Sequence, residues 1–232
     1  MVQGPDGERD IADYLNHNLP TFYTVDCGSF EGCDYFDPPN PNITTFDASR
    51  IETVDWKTEG VDIESEIGDT PQQRSIHTYL RDRLLESDAQ IIVYDHGSGE
   101  LADFITFSIR DDDILVTLFH CKGSSARQSG ERVGDMYELC GQAIKSAKWV
   151  SRSLMMQGLN RRSARGSAFL RGALEDFLAL LTGELPLSLQ IVLVQPGLSR
   201  AHVGPQTGSL LAAVDDFVRG GRCARIKVIA SA

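Results

Sequence analysis

The chain has 232 residues, of which 41% are hydrophobic and 24% are charged, so it can bury a core and does not belong to the disordered class of proteins. It contains no run of the roughly 18 to 20 apolar residues that a membrane helix needs, and its first residues do not resemble a signal peptide. Five cysteines without dense spacing argue against a disulfide-stapled secreted domain. We therefore expect a cytoplasmic protein with no membrane partner.

The formal net charge of −11 is divided unevenly along the chain. Residues 1–70 carry 16 acidic and 3 basic side chains, whereas residues 71–232 carry 17 acidic and 19 basic ones. We expect residues 1–70 to form an acidic N-terminal segment or small subdomain, which can mimic DNA or cover a basic face, and residues 71–232 to form the main domain.

The main domain contains a basic segment at residues 122–171, with ten basic and three acidic side chains. This composition indicates either a surface that faces phosphates or a solvated helix face. The ten bases are Lys122, Arg127, Arg132, Lys145, Lys148, Arg152, Arg161, Arg162, Arg165 and Arg171.

Apolar periodicity predicts helices and strands in a mixed order along the main domain. The predicted elements are a helix at 71–87, strands at 90–95, 101–109 and 114–121, helices at 131–157 and 169–181, a strand at 187–194, a helix at 208–218 and a strand at 224–229. Strands joined by short turns form an antiparallel meander, and a helical crossover brings the next strand in parallel. The sequence therefore predicts an α/β fold with a mixed central sheet flanked by helices, an αβββαβ core and an acidic N-terminal extension.

Three residues on the predicted meander suit phosphodiester chemistry. Asp103 lies on its second strand, and His120 and Lys122 lie on its third. Because side chains alternate along a strand, His120 and Lys122 share one face, and Asp103 on the neighbouring strand can meet both. A carboxylate and a second ligand can hold a cation that acidifies water, while a lysine orients that water or stabilises developing charge.

The pair Ala102-Asp103 and the run His120-Cys121-Lys122 resemble two motifs of the PD-(D/E)XK nuclease superfamily. Residues 95–104, 120–125 and 130–146 look more specifically like the C-terminal nuclease-like domain of large bacterial DEAD/DEAH-box helicases. The resemblance implies a restriction-endonuclease-like fold and a metal-dependent DNA nuclease at residues 71–232. It also implies action with a helicase, in cis or in trans, in phage defence or restriction.

One position departs from that superfamily, because His120 replaces its usual carboxylate. The implied Mg²⁺ or Mn²⁺ would have fewer anionic ligands, which favours Mn²⁺. The departure leaves open a second reading, in which the chain is a catalytically inactive module that keeps the nuclease fold for DNA binding or protein docking.

Further residues complete the predicted site. By the resemblance, His77 on the first helix is an additional metal ligand, and the alternative is a surface or capping histidine. Glu100 and Asp95 are acidic candidates near the Gly-rich turn, where Asp95 also fits a turn residue. On the long helix, Gln142 shares a face with Glu138. The resemblance implies that Gln142 supports the catalytic site or contacts DNA, and the alternative is an ordinary polar pair on an exposed helix.

The predicted DNA-binding residues come from the basic segment. They are Lys145, Lys148, Arg152, Arg161 and Arg162, which would neutralise backbone phosphates. A homo-oligomer is compatible with the sequence, which does not decide the oligomeric state.

Overall fold

The computed structural model describes residues 1–4, 7–17, 19–24, 28–36, 46–164, 166–220 and 223–232. The chain divides into two compact units, residues 1–43 and 44–232. This boundary differs from the expected one at residue 70, because residues 51–54 form a strand of the larger unit's sheet. No helix among the described residues is long and apolar enough to cross a membrane.

Over its described residues, the smaller unit contains one short helix and two small antiparallel sheets. Its elements are β1 (Val2–Gly4), β2 (Gly7–Arg9), α1 (Ile11–His17), β3 (Thr21–Tyr23), β4 (Ser29–Glu31) and β5 (Asp34–Phe36). β1 pairs with β2, and β3, β4 and β5 pair in sequence order.

The larger unit contains the central sheet and five α-helices over the described residues. Its strands are β6 (Ile51–Val54), β7 (Ile91–Tyr94), β8 (Phe104–Ile109), β9 (Ile114–Cys121), β10 (Ala168–Arg171), β11 (Leu187–Ser199) and β12 (Lys227–Ser231). Its helices are α2 (Ile76–Leu85), α3 (Val133–Ser146), α4 (Arg152–Ser163), α5 (Leu174–Thr182) and α6 (Pro205–Gly220).

The seven strands form one mixed sheet in the order β10-β7-β8-β9-β11-β12-β6. β7, β8 and β9 form an antiparallel meander, and β11 joins β9 in parallel, as the sequence predicted. β12 and β6 continue the sheet in parallel, and β10 closes the other edge antiparallel to β7. The expected mixed sheet flanked by helices is confirmed.

Buried side chains on the two faces of the sheet form two separate hydrophobic clusters. Along β11, Leu189, Ile191 and Leu193 pack toward α3, α5 and α6, whereas Val192 and Val194 pack toward α2. Ser75 caps α2 by accepting a hydrogen bond from the backbone N–H of Thr78, which fixes the start of that helix. The fold is therefore a three-layer arrangement, with a helical layer on each side of the sheet.

Two predicted helices were wrong in their extent. The expected helix at 131–157 is interrupted between α3 and α4 by a 3₁₀ turn at Ala147–Val150. The turn lets the Trp149 ring pack on Gly158, where an added Cβ would lie 3.1 Å from the ring. The expected helix at 169–181 is divided into strand β10 and helix α5, because residues 168–171 pair with the edge of the sheet.

Candidate metal centre

Four side chains converge at one end of the meander, where their ligand atoms all lie within 4.8 Å of one another. The metal cluster, as we name it, consists of Glu66 in the segment before α2, His77 in the first turn of α2, His96 in the turn after β7, and Asp103 immediately before β8. Two imidazoles and two carboxylates can ligate a divalent cation, and the mixed nitrogen and oxygen donor set suits a transition-metal ion such as Mn²⁺ or Zn²⁺.

Asp103 is the centre of the cluster and is 1% exposed. Its Oδ1 lies 2.7 Å from His96 Nδ1 and 3.6 Å from His77 Nε2, while its Oδ2 accepts a 2.8 Å hydrogen bond from the Cys121 N–H. Burial raises the pKa of Asp103 to about 6, although the Cys121 N–H favours the charged form. The carboxylate is therefore fixed by the third strand and faces both histidines.

His77 is held beside Asp103 in a neutral form. It is 4% exposed, and its Nδ1 lies 3.1 Å from the Tyr94 hydroxyl. Burial, with a smaller contribution from the charge of His96, lowers the pKa of His77 to about 4. Within the described part of the chain, His77 Nε2 has no hydrogen-bond partner. A neutral imidazole with a buried unpaired nitrogen is the form that binds a metal, so this residue fits the predicted ligand role.

Glu66 enters the cluster through the docking of its segment onto the end of β9. Its Oε2 accepts a 3.2 Å hydrogen bond from the Gly123 N–H, and its carbonyl accepts one from the His77 N–H. A Cβ at Gly123 would lie 2.9 Å from the carbonyl oxygen of Glu64, so only glycine allows this close approach. Glu66 was not predicted, because no local pattern marks a carboxylate that reaches the sheet from an irregular segment.

His96 was also missed by the sequence analysis. It lies two residues after the end of β7 and directly before Gly97-Ser98-Gly99, and this position just beyond a buried strand was a usable signal. Glu100 lies in the same turn, with Oε2 accepting a 2.6 Å hydrogen bond from the Gly97 N–H and lying 3.6 Å from His96 Nδ1. Glu100 therefore borders the cluster, as expected for an acidic candidate near the turn.

His120 lies apart from the metal cluster, which differs from its predicted role as a ligand. It is 2% exposed, and its Nε2 lies 2.9 Å from the Ser146 hydroxyl on α3. The physical reason is the alternation of β9, which turns Cys121 toward α2 and His120 toward α3. His120 is therefore left out of the ligand set that we propose below.

The metal cluster opens into a cleft of about 430 Å³. Glu138, Gln142 and Lys145 of α3 line this metal cleft together with Glu66, His96 and Asp103. Lys122 Nζ lies 2.9 Å from Glu138 Oε1, so the predicted lysine is held at the side of the cleft that α3 forms. That hydrogen bond with Glu138 raises the pKa of Lys122, which keeps the ammonium charged.

Asp95 has a structural role next to the metal cluster. It is completely buried, its Oδ1 lies 2.6 Å from Arg162 Nε, and its Oδ2 accepts the Leu101 N–H. The Arg162 guanidinium also donates to the carbonyls of Asp95 and Ser98, so it binds the turn that carries His96. Arg162, predicted to bind DNA, is 8% exposed and is committed to this internal ion pair.

The four other predicted DNA-binding residues differ in their surroundings. Arg152 donates to the carbonyls of Leu181, Gly183 and Leu185, which places this predicted DNA contact at the end of α5. Lys145, Lys148 and Arg161 line a common pocket, and no carboxylate of the described residues pairs with them. Arg165 lies outside the described residues.

Comparisons with protein-family models, with curated proteins and with solved structures gave no match.

The metal cluster predicts which histidine substitutions weaken metal binding. We expect H77A and H96A each to lower the affinity for Mn²⁺ by more than about 10-fold, since loss of even an outer-shell partner costs about 10- to 100-fold. H120Q should leave the affinity unchanged, because His120 is absent from the cluster. Isothermal titration calorimetry with Mn²⁺ measures both effects. A loss of Mn²⁺ affinity in H120Q, with none in H96A, would show that the metal does not bind at this cluster.

Proposed function

We propose that this chain is a metal-dependent DNA nuclease with a restriction-endonuclease-like core. The observation that carries the proposal is the cluster of two carboxylates and two histidines in a cleft that also holds the cation Lys145. Metal ligands beside a positive charge suit the hydrolysis of a phosphodiester, in which a charged phosphate is bound and further charge develops. Asp103, which belongs to the first of the motifs that gave the resemblance, lies in this cluster at the end of the antiparallel meander.

The residues of the cluster and the neighbouring Lys122 would have different roles. Glu66, His77, His96 and Asp103 would hold the ion. A bound divalent ion supplies a water of lowered pKa and a Lewis acid for the phosphate oxygen. Asp103 keeps one oxygen toward the histidines because the Cys121 N–H holds the other. Lys122 remains protonated beside Glu138, so it serves to stabilise negative charge and not as a base that removes a proton.

A binding module without catalysis is the second candidate function. The observation that favours it is the ion pair between Lys122 and Glu138, which occupies the lysine that the chemistry requires. The partnership with a helicase and the role in phage defence or restriction remain predictions that rest on the resemblance of the motifs.

Cleavage of DNA tests the proposal directly. We expect D103N to reduce Mn²⁺-dependent cleavage of linear and supercoiled DNA by more than about 100-fold, because it removes the central ligand. The matched control is D216N, since Asp216 lies exposed on α6 with its partner Arg219. Cleavage is measured on gels after circular dichroism has shown that both variants are folded. Equal cleavage by D103N and the parent would contradict the assignment, and metal binding without any cleavage would favour the binding module.

A further inference from the structure

A second, smaller recess adjoins the metal cleft. It has a volume of about 300 Å³ and shares Gly99, Glu100, Gln142 and Lys145 with the metal cleft. We call it the basic pocket, because three cations line it: Lys145 at the end of α3, Lys148 in the following 3₁₀ turn, and Arg161 near the end of α4. The two recesses are therefore contiguous, with different chemistry in each.

The cations of the basic pocket are not neutralised within the described part of the chain. No carboxylate there lies within ion-pair distance of Lys145, Lys148 or Arg161. The ammonium of Lys148 lies 4.6 Å from the centre of the Trp149 ring, which fixes it at the pocket wall. Among the described lining residues, Glu100 is the one acid, and its Oε2 accepts the Gly97 N–H. The pocket therefore carries an excess positive charge that suits an anion.

Two buried polar atoms of residues that line the basic pocket have no hydrogen-bond partner among the described residues. Ser146 Oγ donates to the carbonyl of Leu101, so it accepts its 2.9 Å hydrogen bond from His120 Nε2–H. His120 Nδ1 is then left as an acceptor, and within the described residues neither this atom nor Gln142 Oε1 has a hydrogen-bond partner. Buried polar atoms without partners are rare and costly, and a bound ligand is one way to satisfy them. His120 is thus part of the pocket and not of the metal cluster.

We infer that the basic pocket binds a terminal phosphate group of a nucleic-acid strand. A phosphate monoester carries about −1.5 to −2 charge near neutral pH, whereas each internal diester carries −1, so three converging cations match a monoester better. The monoester can also donate its remaining proton, which has a pKa of about 6, to His120 Nδ1, whereas an internal diester has no proton to donate near neutral pH.

This inference rests on the proposed function for the identity of the ligand as a nucleic acid. It adds that the strand is recognised at a phosphorylated end, which places a nearby phosphodiester bond at the metal cluster. Cleavage of linear DNA should then depend on the state of its ends, whereas binding at the pocket should not depend on the metal.

Binding without metal tests the pocket separately from catalysis. Fluorescence anisotropy in the presence of EDTA compares three single-stranded oligonucleotides of one sequence, with a 5′-phosphate, a 3′-phosphate or hydroxyl groups at both ends. We expect one phosphorylated form to bind at least about 10-fold more tightly, as is typical of charge-assisted contacts worth more than about 1.4 kcal/mol. K148A and R161A should abolish this preference, whereas K227A, which removes an exposed lysine of β12, should retain it.

The remaining outcomes separate the two proposals. D103N should keep the preference for a phosphorylated end, and its loss in D103N would place the phosphate at the metal cluster and overturn the inference. Equal affinity of the parent protein for all three oligonucleotides would also overturn the inference. If K148A lowers the affinity for all three oligonucleotides by the same factor, the cations bind internal phosphates, and the inference is again overturned. Metal-dependent cleavage without an end preference would support the nuclease proposal and contradict the terminal-phosphate inference. An end preference without cleavage would support phosphate binding at the basic pocket and contradict the nuclease proposal.

Discussion

Replacing Arg162 by leucine is expected to lower the free energy of unfolding by about 3 to 5 kcal/mol, the usual cost of breaking a buried ion pair. Asp95 is fully buried and its Oδ1 lies 2.6 Å from Arg162 Nε. The substitution would leave this carboxylate without its cation and would release the carbonyls of Asp95 and Ser98. Urea denaturation, monitored by circular dichroism, measures the change in the free energy of unfolding.

The adjacent residue offers a matched control for this prediction. Arg161 is exposed and pairs with no carboxylate among the described residues, so R161L should change the free energy of unfolding by less than about 0.5 kcal/mol. R162K keeps the charge but cannot reproduce the forked donors of arginine, and we expect an intermediate loss. Equal effects of R161L and R162L would show that the ion pair contributes nothing specific.

The second large effect that we expect concerns pH. Burial lowers the pKa of His120 to about 4, from an ordinary value of 6.5, and Lys145 adds to this shift. Between these two pH values the unfolded chain takes up a proton on His120 that the folded chain does not. His120 therefore makes the protein less stable as the pH falls from 6.5 to 4, by about 3 kcal/mol in total.

H120Q isolates that contribution, because glutamine can still donate a hydrogen bond to Ser146 and does not titrate. A packing change in the variant shifts the free energy of unfolding by a constant amount at all pH values. Glutamine, in contrast, takes up no proton in either state. The difference in the free energy of unfolding between the parent and H120Q should therefore change by about 1.4 kcal/mol per pH unit between pH 6.5 and pH 4. Parallel pH profiles from urea denaturation would contradict the assignment of a buried neutral histidine.

The central part of the fold was predictable because its signals are local. Strands β7, β8 and β9 alternate or form buried runs between clear turns, and the crossover to β11 follows a strongly amphipathic helix. The edge strand β10 was missed because its apolar residues fit a helical period equally well. Only pairing with β7, some 75 residues earlier in the chain, makes that segment a strand.

The candidate site was predictable to the extent that its residues lie on those strands. Asp103 follows from the meander, and His77 follows from the resemblance of the motifs. His120 was placed on the correct strand, but its environment depends on which helix layer covers each face, which periodicity does not reveal. Glu66 depends on the docking of an irregular segment at Gly123, and no sequence period encodes that contact.

Arginine contacts with backbone carbonyls join parts of the chain that are far apart in sequence. Arg162 reaches back over 64 to 67 residues to the turn after β7, and Arg171 reaches back over 82 to 86 residues to the end of α2. Contacts that close such long loops are entropically unfavourable until the intervening chain is ordered, so we expect them to form late in folding. The turn that carries His96 would then be held in place only after α4 has docked, and a nascent or truncated chain that ends before α4 would have an incomplete metal cleft.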